Sequence, residues 1–206
     1  MYRRTGLILF KRGLSQVSLI HETKPRAADF SRDRRKYRPS KVRFLLIAES
    51  PPASGGFFYF GTTIGKDHLF RETMKALEFW PKDEPMRRGV DKRPMLRRFQ
   101  SMGFFLLDTC IFPVDKLRPR ERKEAVLSQT PRLINEVIEA NPLHIFILKS
   151  SIFNPVSIAL RESGMLSMVL NNGPVPFPSH GNQLIYRSML KRAVRKAHLL
   201  SHRPAL

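Results

Sequence analysis

Three polar residues end three short apolar runs: Glu49 after Phe44–Ala48, Asp108 after Phe104–Leu107, and Lys149 after Ile145–Leu148. Each brings a different chemistry. Glu49 can position a water or balance positive charge developing on a sugar. It can equally serve as a strand-end carboxylate that accepts loop amides and shapes a pocket. Asp108, when ionised, only accepts hydrogen bonds, so it suits a ligand edge carrying N–H groups, whether a ring N–H or an amino group; it can equally cap the following turn or pair with a nearby Arg. Lys149 can neutralise a phosphate or simply close a solvated strand end. After Glu49 the chain runs through Pro51, Pro52, Gly55 and Gly56 into the rings of Phe57, Phe58, Tyr59 and Phe60. Such a stiff loop ending in aromatics is built for a flat molecule, with Phe58 or Tyr59 as the stacking ring and the others in the core. Farther along, Phe177-Pro178-Ser179-His180-Gly181-Asn182 forms a loop able to pinch a phosphate through a hydroxyl and backbone N–H groups. His180 in that loop can donate a proton, touch a phosphate, or simply be exposed.

The elements that must position these groups alternate along the chain. Phe44–Ala48 reads as a buried parallel strand, because a short, continuous apolar run bounded by turn residues has that signature. A helix follows over residues 66–79, with Leu69, Phe70, Met74 and Leu77 on one face. A shorter helix lies near 95–102. Phe104–Leu107 is the second strand. Residues 120–140 carry Val126, Leu133, Ile134, Val137 and Ile138 at helical spacing, with Pro131 expected to break or kink the helix. Ile145–Leu148 is the third strand, residues 150–163 a helix, Leu166–Leu170 a fourth strand, and residues 183–200 a last helix rich in Arg and Lys. Strands alternating with helices predict a parallel sheet covered on both faces. The polar strand ends would then converge on one rim, where ligands of open α/β sheets bind.

The 206 residues are sufficient for one domain with its own core. There are 37 Lys and Arg against 17 Asp and Glu, a net charge of +20. A surplus of that size points to a polyanionic partner, most commonly nucleic acid. Residues 1–41 read as a basic extension and linker, and residues 42–200 as the globular domain, which is itself basic. Cys110 is the single cysteine, which excludes an intramolecular disulfide framework and any four-thiolate metal or iron–sulfur site. This fits a reducing, intracellular compartment. No apolar run approaches the roughly 20 residues of a membrane span, and charges interrupt the first twenty residues too soon for a signal-peptide core. His21, His68, His144, His198 and His202 show no metal-ligand spacing with each other or with Cys110, so no metal is expected.

In order and spacing, the motifs of residues 42–198 resemble the uracil-DNA glycosylase superfamily. Leu46-Ile47-Ala48-Glu49-Ser50-Pro51-Pro52 is similar to the family's first motif, a strand running into Gly-Gln-Asp-Pro or a variant. Residues 56–65 are similar to the loop that sets a ring against the flipped base. Leu106-Leu107-Asp108-Thr109 looks like the strand end that carries a base-reading Asn, and Phe177-Pro178-Ser179-His180 like the final His-Pro-Ser-Pro motif. The resemblance implies a three-layer α/β/α sandwich around a four-stranded parallel sheet. It implies a monomer that binds DNA, flips out uracil or another deaminated base, and hydrolyses its glycosidic bond without a cofactor. Glu49 and His180 would then be catalytic, and Phe58, Tyr59 and Asp108 would hold the base. Lys149, Pro178, Ser179, Gly181 and Asn182 would contact DNA. Three positions depart from the motifs. Ser50 stands in place of a water-activating Asp, Phe177 in place of a catalytic His, and Gly181 in place of an intercalating Leu. Asn182, Gln183 or Leu184 would have to fill the gap left by the base. These departures also fit a non-catalytic DNA reader of the same fold, and the pocket alone fits an enzyme acting on nucleosides or nucleotides.

Overall fold

The computed structural model describes residues 27–62, 67–81 and 83–199. Its centre is a three-stranded parallel sheet in the order β2-β1-β3, made of β1 (Phe44–Ala48), β2 (Phe104–Asp108) and β3 (His144–Ile147). Every residue of β1 and β2 is buried, as expected for strands covered on both faces. The register pairs Phe44 with Phe104 and His144, and Ala48 with Asp108. The carboxyl ends therefore lie level, and Ala48–Glu49, Asp108 and Leu148–Lys149 share one rim. Backbone bonds carry the ladder one step farther, from Cys110 N–H to the Glu49 carbonyl and from Leu148 N–H to the Ile47 carbonyl, both 2.8 Å.

The fourth expected strand is not formed. Leu166–Met168 is a single 3-10 turn, and the only pairing is an isolated parallel bridge between Ile145 and Val169. A side chain takes over where a strand would continue. The Asn171 amide accepts from Ile147 N–H at 3.0 Å and donates to the Ile147 carbonyl at 3.1 Å, as a paired backbone would. The edge of β3 is thus satisfied by one backbone bond, from Leu170 N–H to the Ile145 carbonyl at 2.9 Å, and by one side-chain amide instead of a full ladder.

The helices are α1 (Ala27–Arg35), α2 (His68–Ala76), α3 (Arg93–Ser101), α4 (Pro119–Ala140), α5 (Ser150–Glu162) and α6 (Gln183–Lys196). α2 packs on α6 and α4 on α5, while α3 lies against β2. α4 starts where its sequence says it should. Pro119 occupies the first turn, the Glu121 carboxylate accepts the Arg118 N–H at 3.1 Å, and Asn141 ends the helix in the left-handed region. Pro131 does not break it. The carbonyl it leaves without a helical donor belongs to Leu127, and both residues are exposed, so water can supply the missing bond. α1 differs from the basic linker expected before residue 42: Phe30 and Arg34 are buried, and the Phe30 ring meets Phe57 at 4.9 Å. Phe30, Arg34 and, just past the helix, Tyr37, whose ring stacks on Tyr59 at 5.9 Å, tie this charged segment to the domain.

Among the described residues, no helix is long and apolar enough to cross a membrane.

Candidate functional site

At the rim, a cavity of about 90 Å³ opens between the β1 loop, α2 and the loop containing Phe177. That is room for about three waters, or one small flat ring. Phe57, Phe58, Leu106 and Phe177 supply apolar walls, and Asp67 and Asp108 supply carboxylates. The aromatic loop folds inward because each ring finds another. Phe58 meets Tyr59, Phe70 and Phe99 at 5.1–5.3 Å, at tilted or edge-on angles. Phe58 lines the cavity as expected of a stacking ring, and Phe57 joins it. Tyr59 does not. It is only 1% exposed, and its hydroxyl accepts from Leu106 N–H at 2.7 Å and donates to the Leu106 carbonyl at 3.3 Å. Tyr59 is a core residue that ties the loop to β2.

Asp108 is buried at the cavity wall, and Arg34 of α1 holds its Oδ2 at 2.5 Å. Burial pushes the Asp108 carboxyl up from its ordinary value, against the pull of Arg34 and then Arg132. Arg132 also clamps the strand end, donating to the carbonyls of Asp108 at 2.9 Å and Thr109 at 2.6 Å.

Glu49 lies at the centre of a cage. Arg122 Nε at 2.8 Å and Ser151 Oγ at 2.7 Å donate to Oε1, while Lys149 Nζ at 2.5 Å and a second Arg122 nitrogen donate to Oε2. A carboxylate has about four acceptor positions, and here four donors fill them. Burial pushes the Glu49 carboxyl up, but the bonds from Arg122, Lys149 and Ser151 outweigh it and hold the group below the usual carboxylate range. For positioning a water, Glu49 has no acceptor position left in this arrangement. What Glu49 does is fix the side chains of Arg122, Lys149 and Ser151 at the strand ends. Lys149, expected as a phosphate contact, spends one donor on Glu49 and sits 5.6 Å from the centroid of the Phe177 ring. Its backbone is held at φ 81°, ψ 126°, by a bond from its N–H to the Val175 carbonyl at 3.0 Å. A lysine in that region is strained by about 1–3 kcal/mol, a kind of strain that gathers at functional sites.

In the Phe177 loop, Ser179 N–H donates to the Phe177 carbonyl at 2.7 Å, and Asn182 N–H donates to the Ser179 carbonyl at 3.0 Å. His180 is exposed, with φ 51°, and its Nδ1 meets the Ser179 hydroxyl at 2.8 Å. Gly181 follows at φ 86° with open space where a Cβ would be. Neither His180 nor Pro178 lines the cavity. Just beyond, Leu184 is 71% exposed and Ile185 also points outward at the start of α6. Of the basic residues of that helix, Arg187 pairs with Glu72 at 3.3 Å and Lys191 with Glu78 at 2.6 Å. Arg192, Arg195 and Lys196 are exposed.

Several residues of the site carried no sequence signal. Asp67 lines the cavity, and behind it Lys92, with no exposed surface, donates to Asp67 Oδ2 at 2.5 Å and the Phe57 carbonyl at 2.8 Å. Burial pushes the Asp67 carboxyl up and the Lys92 amine down, each opposed by its partner. His68 also lines the cavity, and Arg71 approaches its Nδ1 at 3.0 Å. A guanidinium only donates, so Nδ1 accepts and the neutral ring carries its proton on Nε2. Among the described residues no group of three or more His, Cys, Asp and Glu is arranged to hold a metal ion.

The site thus consists of an aromatic slot with a carboxylate on either hand, each carboxylate backed by a buried cation. No protein-family model matches the chain, and a search of curated proteins finds no match.

Proposed function

We propose that this protein is a DNA glycosylase of the uracil-DNA glycosylase type, which draws uracil or another deaminated base into the rim cavity and hydrolyses its glycosidic bond. The observation that carries the reading is Asp108 at the wall of a cavity lined by Phe57, Phe58 and Phe177. A flipped base stacks between apolar walls and is read at its edge. Deamination converts N3 of cytosine, or N1 of adenine, from a lone pair into an N–H, the donor an ionised Asp108 accepts. The isolated bridge at Val169 stands where the fourth strand of a three-layer α/β/α domain would lie. The basic surface of the start of α4 (Lys116, Arg118, Arg120, Lys123) and of α6 suits a phosphate backbone. Leu184 or Ile185 then fills the gap in the duplex that the base leaves, a role Gly181 cannot take.

In this reading the glycosidic electron pair leaves with the base, and positive charge spreads over C1′ and the ring oxygen. Water adds to C1′ and loses its proton to solvent. Glu49 contributes by fixing Lys149 and Arg122 instead of by accepting that proton.

A second reading, binding of a damaged base without hydrolysis, is favoured by the occupied acceptor positions of Glu49 and by Phe177 at the place of a catalytic His. Labelled oligonucleotides carrying one uracil, hypoxanthine or xanthine, single- and double-stranded, separate the two. Release of a base by wild type and its loss in Asp108→Ala is the expected result. Binding that weakens with salt, with no release from any substrate, identifies the second reading. Neither release nor binding refutes both.

A further inference from the structure

Arg34 belongs to the segment that reads in sequence as a basic linker, yet it is 5% exposed and touches two residues of the cavity wall, Asp108 and Phe57. Its Nη2 meets Asp108 Oδ2 at 2.5 Å, and its guanidinium carbon lies 5.6 Å from the centroid of the Phe57 ring. Arg34 itself does not line the cavity. Its Nε is buried without a hydrogen-bond partner, one of two such side-chain atoms among the described residues. The guanidinium is thus held here by its bond to Asp108 and not by full satisfaction of its own donors. Arg34 takes Oδ2, and Asp108 also lines the cavity.

Resting on the glycosylase reading above, we infer that Arg34 is a positioning residue: it holds Asp108 as an ionised acceptor at the cavity wall, and thereby selects a base edge that presents a ring N–H. The groups that act on Asp108 are Arg34 from α1, Arg132 and Glu136 from α4, Tyr59 from the aromatic loop, and Cys110 just beyond β2. Burial favours the protonated acid, and Arg34 is the largest single opposition to it. A protonated Asp108 would offer an O–H and could pair with a carbonyl or a bare ring nitrogen. The pocket would then lose its distinction between deaminated and ordinary bases.

The test has two arms. Carboxyl ¹³C NMR titrates Asp108, assigned by its loss in Asp108→Asn, in wild type, Arg34→Gln and Arg34→Lys. Removing an adjacent opposite charge shifts a carboxyl by roughly one to three pH units, so the Asp108 midpoint should rise by that amount in Arg34→Gln and return most of the way in Arg34→Lys. An unchanged midpoint in folded Arg34→Gln overturns the inference; if that variant fails to fold, Arg34→Lys decides, since a midpoint far above wild type would deny that charge is what matters. The second arm compares binding of oligonucleotides carrying uracil or N3-methyluracil, which lacks the donor. Wild type should prefer uracil by at least about tenfold, the equivalent of one hydrogen bond. Equal binding of the two overturns selection through a ring N–H. If neither binds while the NMR midpoint still shifts, the glycosylase reading fails and the hold of Arg34 on Asp108 stands.

Discussion

Lys92 is the most exacting place to test the architecture of the cavity, because its charge has no access to water. The perturbation is Lys92→Met, which keeps most of the stem and removes the ammonium. Wild-type Nζ is bonded to Asp67 Oδ2 at 2.5 Å and the Phe57 carbonyl at 2.8 Å, and lies 4.2 Å from the centroid of the Phe70 ring. Breaking a buried pair from one side costs about 3–5 kcal/mol, because the remaining charge has no partner. The Phe57 carbonyl adds up to about 1–3 kcal/mol if it stays unpaired. Asp67 can relieve part of this by taking up a proton, as burial already pushes its carboxyl up. The expected net loss is about 4 kcal/mol, and roughly 2–4 °C per kcal/mol in a chain of this size makes it a fall of about 8–16 °C in Tm. Urea unfolding over a range of pH provides the decisive sign. Without Lys92 the folded state of Asp67 binds its proton more tightly than the unfolded state. The stability of the variant is then highest in acid and is lost as pH rises from about 4 through the raised folded value. The penalty should be larger at about pH 8 than at about pH 5. Adding Asp67→Asn should restore most of the stability and remove that pH dependence. A loss under about 1 kcal/mol that does not vary with pH would refute the buried pair, since that is the size of an exposed one.

Glu49→Gln should cost about 3 kcal/mol by urea unfolding, because the amide cannot accept from all four donors of the cage. Since the Glu49 carboxyl is held below its ordinary range, its contribution is present above the unfolded value near pH 4 and is lost as pH falls through the folded one, so wild type should lose more stability in acid than the variant. Gly103→Ala should destabilise by about 1–3 kcal/mol in thermal melts, since Gly103 sits at φ +81° and a Cβ there would meet Arg43 Cγ at 2.7 Å. Leu184→Ser should leave stability within about 0.5 kcal/mol of wild type while weakening binding to duplex DNA carrying a flipped base, measured by fluorescence anisotropy. Unchanged binding there would remove Leu184 from the proposed interface.

The three strands were legible because a parallel strand buried on both faces must be a short unbroken apolar run. Their ends pointed to Glu49, Asp108 and Lys149 for the same reason. Leu166–Leu170 has the composition of a strand too, but nothing local reveals that the Asn171 amide will close the edge of β3. The partners of the carboxylates were invisible for a different reason. Arg34 and Asp108 are 74 residues apart, and Arg122 and Glu49 are 73 apart, so only the folded topology joins them. In a chain with 37 Lys and Arg, composition cannot single out the few that turn inward. The aromatic run shows the same limit. Four consecutive rings predict a wall, and only their mutual packing sorts Phe57 and Phe58 toward the cavity and Tyr59 toward β2.

The central place of β1 sets the order in which the domain can be made. Its first residue pairs with Phe104 and His144, 60 and 100 positions farther along. At a synthesis rate of roughly 5–20 residues per second, Phe44–Ala48 leaves the ribosome about 3–12 s before β2 and about 5–20 s before β3. Until β2 emerges this apolar strand has both edges unpaired, and until β3 emerges one edge stays open, with no hairpin neighbour to cover it. Such a segment is the natural target of a chaperone on the nascent chain, and its aggregation competes with folding at each round of synthesis. Yield of folded protein should accordingly depend on chaperone supply far more than the stability of the finished domain would suggest.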